Sequence, residues 1–205
     1  MIVTEGEAAC AKAAEIVSRG GVIGYRTDTF YGLGADPANA SAVRKVADLK
    51  GREGKPILIL ISDPDLSSKY VQQTSELFDR LANRCWPGPL TLIGKATNEL
   101  PDELTAGTGT VGIRLPADDA VRALVRTCGG ALTATSANPT GKPPARTAAE
   151  VARYFPGRID LIVDGGNVRA KEPSTVVDLS GPNLVVVREG AISRKDLERF
   201  VEDKS

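Results

Sequence analysis

Apolar and small residues recur at helical spacing in six stretches of the chain, and each stretch is bounded by start or stop residues. In segment 7–19 these residues fall on one face, and the pair Gly20 and Gly21 ends it. Ser75 and Ser193 stand where N-caps belong in two later segments. The pattern predicts helices over 7–19, 39–50, 75–85, 117–127, 147–154 and 193–202.

Short, almost uninterrupted apolar runs lie between these helices. Such runs are typical of strands that are covered on both faces, and strands that alternate with helices indicate a layered α/β fold. Within 174–187, two runs flank the turn 180–183, which predicts an antiparallel pair and therefore a mixed sheet. The predicted strands lie at 22–25, 57–61, 90–93, 110–115, 131–135, 160–163 and within 174–187.

The length of 205 residues indicates one globular domain over residues 1–205. A domain of this size can bury a core without disulfides or a structural metal. Lys plus Arg and Asp plus Glu both total 26, so the net charge is zero. This balance disfavours a general nucleic-acid-coating role and leaves a local basic pocket open. The sequence shows no signal-peptide pattern and no apolar run long enough for a membrane helix, so we expect a cytoplasmic protein.

Histidine is absent, which excludes Ser-His-Asp and Cys-His catalysis and histidine-bound zinc or iron. The cysteines Cys10, Cys85 and Cys128 are far apart and form no C-x-x-C pair. We interpret them as small core residues in a reducing compartment. A nucleophilic cysteine is the weaker alternative, because its usual histidine partner is missing.

Two segments match ligand-binding patterns but are interpreted as loops. The glycine motif GTGTVG at 107–112 precedes a predicted strand, whereas the dinucleotide-binding version must open a helix. The acidic segment SDPD at 62–65 follows a strand and contains proline, so a turn whose Asp caps the next helix is favoured over a metal site.

The cationic segment 49–56, LKGREGKP, is the first candidate site. It places Lys50, Arg52 and Lys55 around two glycines, between the end of a helix and a buried strand. One interpretation is a set of cations that stabilise a helix C-terminus. The other is an anion cradle, because a planar Arg fork and a mobile Lys charge together suit phosphate.

Two further groups follow strand ends, where ligands of α/β sheets often bind. Ser136 and Asn138 follow the strand 131–135, with Lys142 behind them; the alternative is an ordinary Ser/Asn turn before a proline. Ser174 opens one strand of the C-terminal pair and Arg188 closes the other, and an exposed Arg at a strand end is the alternative there.

Taken in order, these segments resemble the YrdC/TsaC family of threonylcarbamoyl-AMP synthases. The chain carries RTDTFYGLG, then KGR and KP, GTVGIRLP, TSANPTGKP, STVVDL and VREGAI, and the resemblance covers residues 10 to 193 or thereabouts. Within that family, the chain resembles the short, single-domain members. The resemblance implies a YrdC-like twisted mixed sheet with helices on both faces, in a single layered α/β domain.

The resemblance implies a nucleotidyltransferase that joins L-threonine, bicarbonate or CO2, and ATP, with Mg²⁺ accompanying the ATP. The products are threonylcarbamoyl-AMP and pyrophosphate. A separate downstream enzyme then transfers the threonylcarbamoyl group to adenosine at tRNA position 37. The resemblance also implies a concave surface that could hold tRNA or double-stranded RNA.

The resemblance assigns the site residues motif by motif. Lys50, Arg52, Ser136 and Asn138 are the catalytic group that grips the ATP phosphates. Lys55, Thr110 and Arg188 add ATP contacts. Thr29, Arg114, Ala134 and Ser174 form the threonine pocket, and no protein metal site is assigned. The cations matter because two unit charges of like sign about 4 Å apart repel by about 4 kcal/mol at an effective dielectric of about 20.

The segment 24–34, GYRTDTFYGLG, has an interpretation within this resemblance. Its glycines would let the backbone approach the substrate closely. Tyr31 and Phe30 would wall the cavity, and Thr29 would contact the threonine side chain.

The chain departs from the family pattern at three positions. Many relatives have Pro at Arg26, several have Ser at Pro144, and some have His at Leu60. The resemblance implies that Pro144 would remove one ATP contact and that Leu60 would remove a partner for the threonine hydroxyl. Three alternatives remain: a YciO-like paralogue, a non-catalytic RNA-binding module, and a carbamoyl-phosphate-dependent activity of the hydrogenase-maturation type.

Overall fold

The computed structural model describes residues 1–51 and 54–202, and helices and strands alternate along it. The helices of this part are Glu7–Ser18 (α1), Ala40–Lys50 (α2), Ser67–Tyr70 (α3), Glu76–Cys85 (α4), Asp102–Thr105 (α5), Asp119–Thr127 (α6), Ala148–Tyr154 (α7) and Arg194–Glu202 (α8). The strands are Ile2–Thr4 (β1), Ile23–Tyr25 (β2), Gly32–Gly34 (β3), Ile59–Ile61 (β4), Leu90–Lys95 (β5), Thr110–Arg114 (β6), Ala131–Thr133 (β7), Thr135–Ser136 (β8), Leu161–Asp164 (β9), Thr175–Asp178 (β10) and Val185–Arg188 (β11).

All six predicted helices form, each within two residues of its predicted bounds. The sequence did not predict β1, β3, α3 or α5, which have three or four residues each. The strand β3 reads Gly-Leu-Gly, and glycine is depleted in strands, so its pairing comes from tertiary contacts. Within the described ranges, no helix is long and apolar enough to cross a bilayer.

The predicted mixed α/β fold is confirmed, and its strands divide between two sheets. The first sheet has the order β1-β9-β2-β3-β8, and the second has the order β11-β10-β5-β6-β4-β7. Both sheets contain parallel and antiparallel pairs; β2 pairs with β9 in parallel and with β3 antiparallel. The predicted antiparallel pair within 174–187 forms between β10 and β11.

The apolar core is divided into two clusters, and β4 contributes to both. Ile59 and Ile61 belong to the larger cluster, whereas Leu60 belongs to the smaller one with Leu132 and side chains of α1 and α6. Successive strand residues point to opposite faces, so β4 is buried on both sides. This explains why its sequence is a continuous apolar run instead of an alternating one.

The glycines of β3 make room for Tyr25 on the neighbouring strand. A Cβ atom at Gly34 would lie 2.8 Å from Cε1 of Tyr25, whereas the nearest atom to a Cβ at Gly32 is 3.6 Å away. The Tyr25 hydroxyl donates to the carbonyl oxygen of Thr133 at 3.0 Å, so the ring cannot easily move aside. The expectation that these glycines admit substrate is therefore wrong for Gly34, which serves packing.

Arg26, which follows β2, makes ion pairs with residues that follow β1 and precede α6. Its guanidinium Nη1 lies 2.6 Å from Asp118 Oδ2, and Nη2 lies 3.3 Å from Glu5 Oε2. Asp118 Oδ1 accepts hydrogen bonds from the backbone amides of Ala120 and Val121, so the residue caps α6. Burial opposes ionisation of Asp118, but the hydrogen bonds from Arg26 and these amides outweigh it and hold the pKa of the carboxyl below its usual range.

Substitution of Gly34 tests the packing of Tyr25 against β3. We expect Gly34→Ala to lower the free energy of unfolding by about 1–3 kcal/mol, because the added methyl group overlaps a ring that is held in place. Gly32→Ala is the matched control and should stay within about 1 kcal/mol of the wild type. Urea unfolding measures both, and equal effects of the two substitutions would contradict this packing.

Substitution of Asp118 tests its ion pair with Arg26. A carboxyl whose pKa is lower in the folded chain adds stability above the unfolded pKa of about 4, and that stability is lost as the pH falls through the folded value. Asp118→Asn retains a good N-cap and removes the charge. The stability gap between wild type and Asp118→Asn should therefore be largest near pH 7 and shrink in acid.

The neighbouring Asp119→Asn serves as the control, since the Asp119 side chain is 91% exposed. Its stability gap should be smaller than that of Asp118→Asn. A gap for Asp118→Asn that is constant between neutral and acidic pH would mean that its ionisation does not stabilise the fold.

Candidate active site

A cavity of about 740 Å³ lies where the two sheets meet. Its size falls within the range of small-molecule sites. The loop before β3 and the strand β8 line one side, and β5, β6 and β10 line the other. Six of the predicted site residues line it: Thr29, Arg114, Ala134, Ser136, Ser174 and Arg188.

The charged side chains on the described wall of this cavity are two arginines, Arg114 and Arg188. Their neighbours on the wall are hydroxyl, aliphatic, aromatic and proline residues. A cation in partly apolar surroundings attracts an anion more strongly than the same cation in bulk water does. The cavity is therefore suited to an anionic ligand.

The loop between β2 and β3 is organised by one hydroxyl group. Thr27 Oγ1 accepts hydrogen bonds from the backbone amides of Thr29 and Phe30 and lies 2.6 Å from the carbonyl oxygen of Phe30. Threonine hydroxyls commonly stabilise turns in this way. The turn directs Thr29 and Phe30 to the cavity, as predicted. Thr27 was not predicted from the sequence.

Tyr31 contributes to the wall but is otherwise a core residue. Its side chain is fully buried, and its hydroxyl lies 3.0 Å from Asp164 Oδ1 and 2.9 Å from the carbonyl oxygen of Gly166. Burial, with the hydrogen bond to Asp164, raises the pKa of the Tyr31 phenol well above its usual value. The phenol is therefore a fixed structural group at neutral pH.

Arg114 ends β6, lines the cavity and is buried, with 3% of its surface exposed. Its Nη1 donates to Asp28 Oδ1 at 2.9 Å, and its Nη2 lies 3.5 Å from Thr29 Oγ1. In the described part of the chain, its buried Nε has no hydrogen-bond partner. An unpaired buried donor costs about 1–3 kcal/mol, so this arginine retains unused binding capacity.

Lys50 ends α2 and holds the loop that follows β8. Its Nζ lies 2.6 Å from the carbonyl oxygens of both Ser136 and Asn138 and 3.0 Å from Asn138 Oδ1. Gly51 adopts a left-handed conformation at φ 57°, which turns the chain away after the helix. The structure thus brings Lys50, Ser136 and Asn138 together. Ser136 faces the cavity and the other two lie behind it.

The other residues predicted for the phosphate group are placed differently. Arg52 lies outside the described residues. Lys55 is exposed and is not part of the cavity wall. Thr110 lies on the same face of β6 as Arg114, but its hydroxyl contacts Thr108 at 3.0 Å and does not reach the wall. The structure therefore does not place Thr110 on the cavity wall.

A second pair of hydroxyls faces the cavity from β5 and the start of β10. Thr91 Oγ1 and Ser174 Oγ lie 3.0 Å apart, and Nη2 of Arg188 donates to the carbonyl oxygen of Ser174 at 2.8 Å. Ser174 and Arg188 were predicted and Thr91 was not. The available signal was a hydroxyl residue in an otherwise apolar buried strand.

The three departures from the family pattern fall in different environments. Leu60 is fully buried in the smaller core cluster and does not line the cavity, so the expected loss of a ligand contact there is not supported. Pro144 does line the cavity. Arg26 makes the ion pairs with Glu5 and Asp118 described above.

The motifs interpreted as loops take that form. Residues 107–109 connect α5 to β6, which is not the strand-to-helix setting of a dinucleotide site. Asp63 precedes a short 3₁₀ turn, but its side chain makes no capping bond; it pairs with Arg126 Nη2 at 2.7 Å. The predicted cap was therefore wrong. The described residues contain no cluster of three His, Cys, Asp or Glu side chains that could hold a metal.

The cysteines are partly buried and none lines the cavity. Burial raises the pKa of the Cys85 thiol to about 11 and that of Cys128 to about 12. Thiolate is the reactive form of cysteine, so both thiols are poor nucleophiles at neutral pH. These positions favour the core interpretation over the nucleophilic one.

Among curated relatives, the threonylcarbamoyl-AMP synthase of Thiobacillus denitrificans is 42% identical over 163 residues, 79% of this chain and 86% of the relative. The synthase of the same name from Pyrococcus abyssi is 34% identical over 190 residues, 92% of this chain. The chain spans 56% of the length of that second relative.

Two solved structures share the fold over nearly the whole chain. The crystal structure of P. abyssi Sua5 complexed with L-threonine has a TM-score of 0.94 at 32% identity and covers 98% of this chain and 61% of its own. The crystal structure of E. coli YciO has a TM-score of 0.82 at 29% identity and covers 93% of this chain and 95% of its own.

A family model extends the resemblance across most of the sequence. The model Sua5_yciO_yrdC, described as "Telomere recombination", matches residues 15–190. This span contains every described residue that lines the cavity, and it also contains Lys50, which holds the loop after β8. The chain therefore belongs to the Sua5/YciO/YrdC family.

Proposed function

We propose that this chain is a threonylcarbamoyl-AMP synthase, a nucleotidyltransferase that makes threonylcarbamoyl-AMP and pyrophosphate from L-threonine, bicarbonate and ATP. The observation that carries the proposal is the placement of two cationic groups beside one cavity. These are the buried guanidinium of Arg114 and the Lys50–Ser136–Asn138 cluster. Relatives of that name are 34–42% identical over most of the chain, and they support it.

Arg114 is proposed to bind the threonine carboxylate. A guanidinium and a carboxylate form two parallel hydrogen bonds, and the unpartnered Nε of Arg114 supplies one donor for such a pair. Thr29 lies beside the same guanidinium, and the Ser174–Thr91 hydroxyl pair faces the cavity from the opposite strands. These hydroxyls suit the polar side chain of threonine.

The loop after β8 is proposed to bind the ATP phosphates, with Arg188 contributing from β11. Lys50 engages oxygens of both Ser136 and Asn138, so its charge lies directly behind the part of the loop that faces the cavity. Each hydrogen bond between a charged group and its partner contributes about 1.5–3 kcal/mol. Arg52, Lys55 and Thr110 remain proposed ATP contacts that follow from the resemblance.

Mg²⁺ is proposed to arrive bound to ATP, with phosphate oxygens as its principal ligands. Mg²⁺ in nucleotide sites is commonly held through substrate phosphates and one or two carboxylates. When bound, it would neutralise charge on the phosphates. The residues of this chain that act on the same charge are the cations named above.

The proposed reaction brings two anions together, the carbamate of threonine and the phosphates of ATP. The threonine ammonium group first loses a proton, and the free amine adds to CO2 formed by dehydration of bicarbonate and loses a second proton, which gives a carbamate. A carbamate oxygen then attacks the α-phosphorus of ATP, the bond from the α-phosphorus to the bridging oxygen breaks, and pyrophosphate leaves. The carbamate is already an anion near neutral pH, so the phosphoryl step needs no general base. The task of the protein is to position the reactants and to offset their repulsion, which does not require histidine.

The product would supply the threonylcarbamoyl group for adenosine at tRNA position 37, through a separate transfer enzyme. A YciO-like activity is the second candidate, since the fold of E. coli YciO matches over 93% of this chain. The synthase reaction requires that ATP cleavage depend on threonine, so threonine dependence is the property to measure.

Pyrophosphate release is the test of the proposed function. The protein is incubated with ATP, Mg²⁺, bicarbonate and L-threonine, and release should require both threonine and bicarbonate. Arg114→Ala should raise the KM for threonine by about 10- to 100-fold, because a charge-assisted hydrogen-bonded pair is lost. Arg126→Ala is the matched control, because Arg126 also pairs with an aspartate but lies outside this cavity.

Two results would contradict the proposal. Pyrophosphate release that ignores threonine and bicarbonate would exclude the synthase reaction and favour a paralogous activity. Equal KM values for threonine in Arg114→Ala and Arg126→Ala would remove Arg114 from the amino-acid site.

A further inference from the structure

Asp28 holds the guanidinium of Arg114 from one side. Its Oδ1 accepts from Arg114 Nη1 at 2.9 Å, and its Oδ2 accepts from the backbone amide of Ala117 at 3.2 Å. The side chains of Arg114 and Asp28 are 4% and 15% exposed. Both carboxylate oxygens are therefore used, and the pair is largely removed from solvent.

The scaffold behind Asp28 is also fixed. Ala117 immediately precedes Asp118, which caps α6 and pairs with Arg26 at 2.6 Å. On the other side, the hydroxyl of Thr27 holds the backbone of the loop in which Asp28 lies. Asp28 thus connects a rigid turn, the start of a helix and the end of β6.

The position of Asp28 decides which edge of the Arg114 guanidinium remains for a ligand. Asp28 Oδ1 accepts the hydrogen bond from Nη1. Across the described residues, Nε has no hydrogen-bond partner, and the contact of Nη2 is the 3.5 Å approach to Thr29 Oγ1. Nε and Nη2 are the two nitrogens that present parallel N–H groups to a carboxylate. The remaining edge has the donor geometry to bind a carboxylate with two hydrogen bonds. Its Nε is buried, so a carboxylate has to displace neighbouring atoms to reach it.

We propose that Asp28 is a positioning residue that locks Arg114 with its Nε–Nη2 edge presented to the substrate carboxylate. This inference rests on the proposed function, because it takes the substrate to be an amino acid. Asp28 does not touch the reacting atoms. It also balances the charge of Arg114, so selection of the carboxylate comes from two oriented hydrogen bonds more than from net charge.

A positioning role and a competing role predict opposite results. If Asp28 merely occupied Arg114 in competition with the substrate, its removal would free the guanidinium and tighten the binding of threonine. If it fixes the orientation of Arg114, its removal lets the guanidinium turn away from the cavity and weakens binding. The sign of the change in affinity therefore distinguishes the two.

The experiment measures the Kd of L-threonine and of α,β-methylene-ATP by calorimetry for wild type, Asp28→Ala and Asp28→Asn. Asp28→Ala should raise the Kd of threonine by about 10- to 100-fold and leave that of the ATP analogue within about 2-fold. Asp28→Asn keeps one oxygen for Arg114 Nη1, so it should fall between wild type and Asp28→Ala. Asp63→Ala, which breaks the Asp63–Arg126 pair outside the cavity, should leave both affinities unchanged.

The outcomes separate this inference from the proposed function. A wild-type protein that binds no threonine refutes the proposed function. A wild type that binds threonine, with Asp28→Ala binding equally well or more tightly, refutes the positioning role alone. Equal losses for threonine and for the ATP analogue would also refute it, because they would indicate a general structural defect. If Asp28→Ala does not fold, the same criteria apply to Asp28→Asn.

Discussion

A buried guanidinium with one unsatisfied edge is the constraint on which the cavity depends. Arg114 ends β6 in the middle of the second sheet, and burying its charge there requires a partner. Asp28 supplies that partner from the first sheet, so the ion pair spans the junction of the two sheets. A charge left wholly unpaired in this position would be strongly destabilising. The cavity and the fold are therefore stabilised by the same contact.

The two halves of the site are connected through the pairing of β3 with β8. In that register Gly32 lies opposite Ser136. The loop with Thr29, which precedes β3, and the loop bound by Lys50, which follows β8, are therefore next to each other. The amide of Ala137 donates to the carbonyl oxygen of Tyr31 at 2.7 Å and extends this connection. An amino acid on one loop and a phosphate on the other would thus be held at a fixed separation, as a reaction between two anions requires.

The sequence allowed the helices, most strands and six of the residues on the cavity wall to be predicted, for identifiable reasons. Arg114, Ser136 and Ser174 belong to motifs with fixed order, and the fold brings those motifs together. The division into two sheets could not be predicted, because a fully buried strand such as β4 has the same apolar sequence in either arrangement. Asp28 and Thr91 were missed because their roles are set by partners more than 80 residues away in sequence.

A crystal structure of the protein with L-threonine and α,β-methylene-ATP would show directly whether the edge of Arg114 that Asp28 leaves open binds the substrate carboxylate. We expect the threonine carboxylate to lie within hydrogen-bond distance of both Nε and Nη2 of Arg114, with the Asp28 contact to Nη1 retained. A threonine carboxylate bound elsewhere, with the Nε–Nη2 edge of Arg114 still without a ligand, would contradict this expectation.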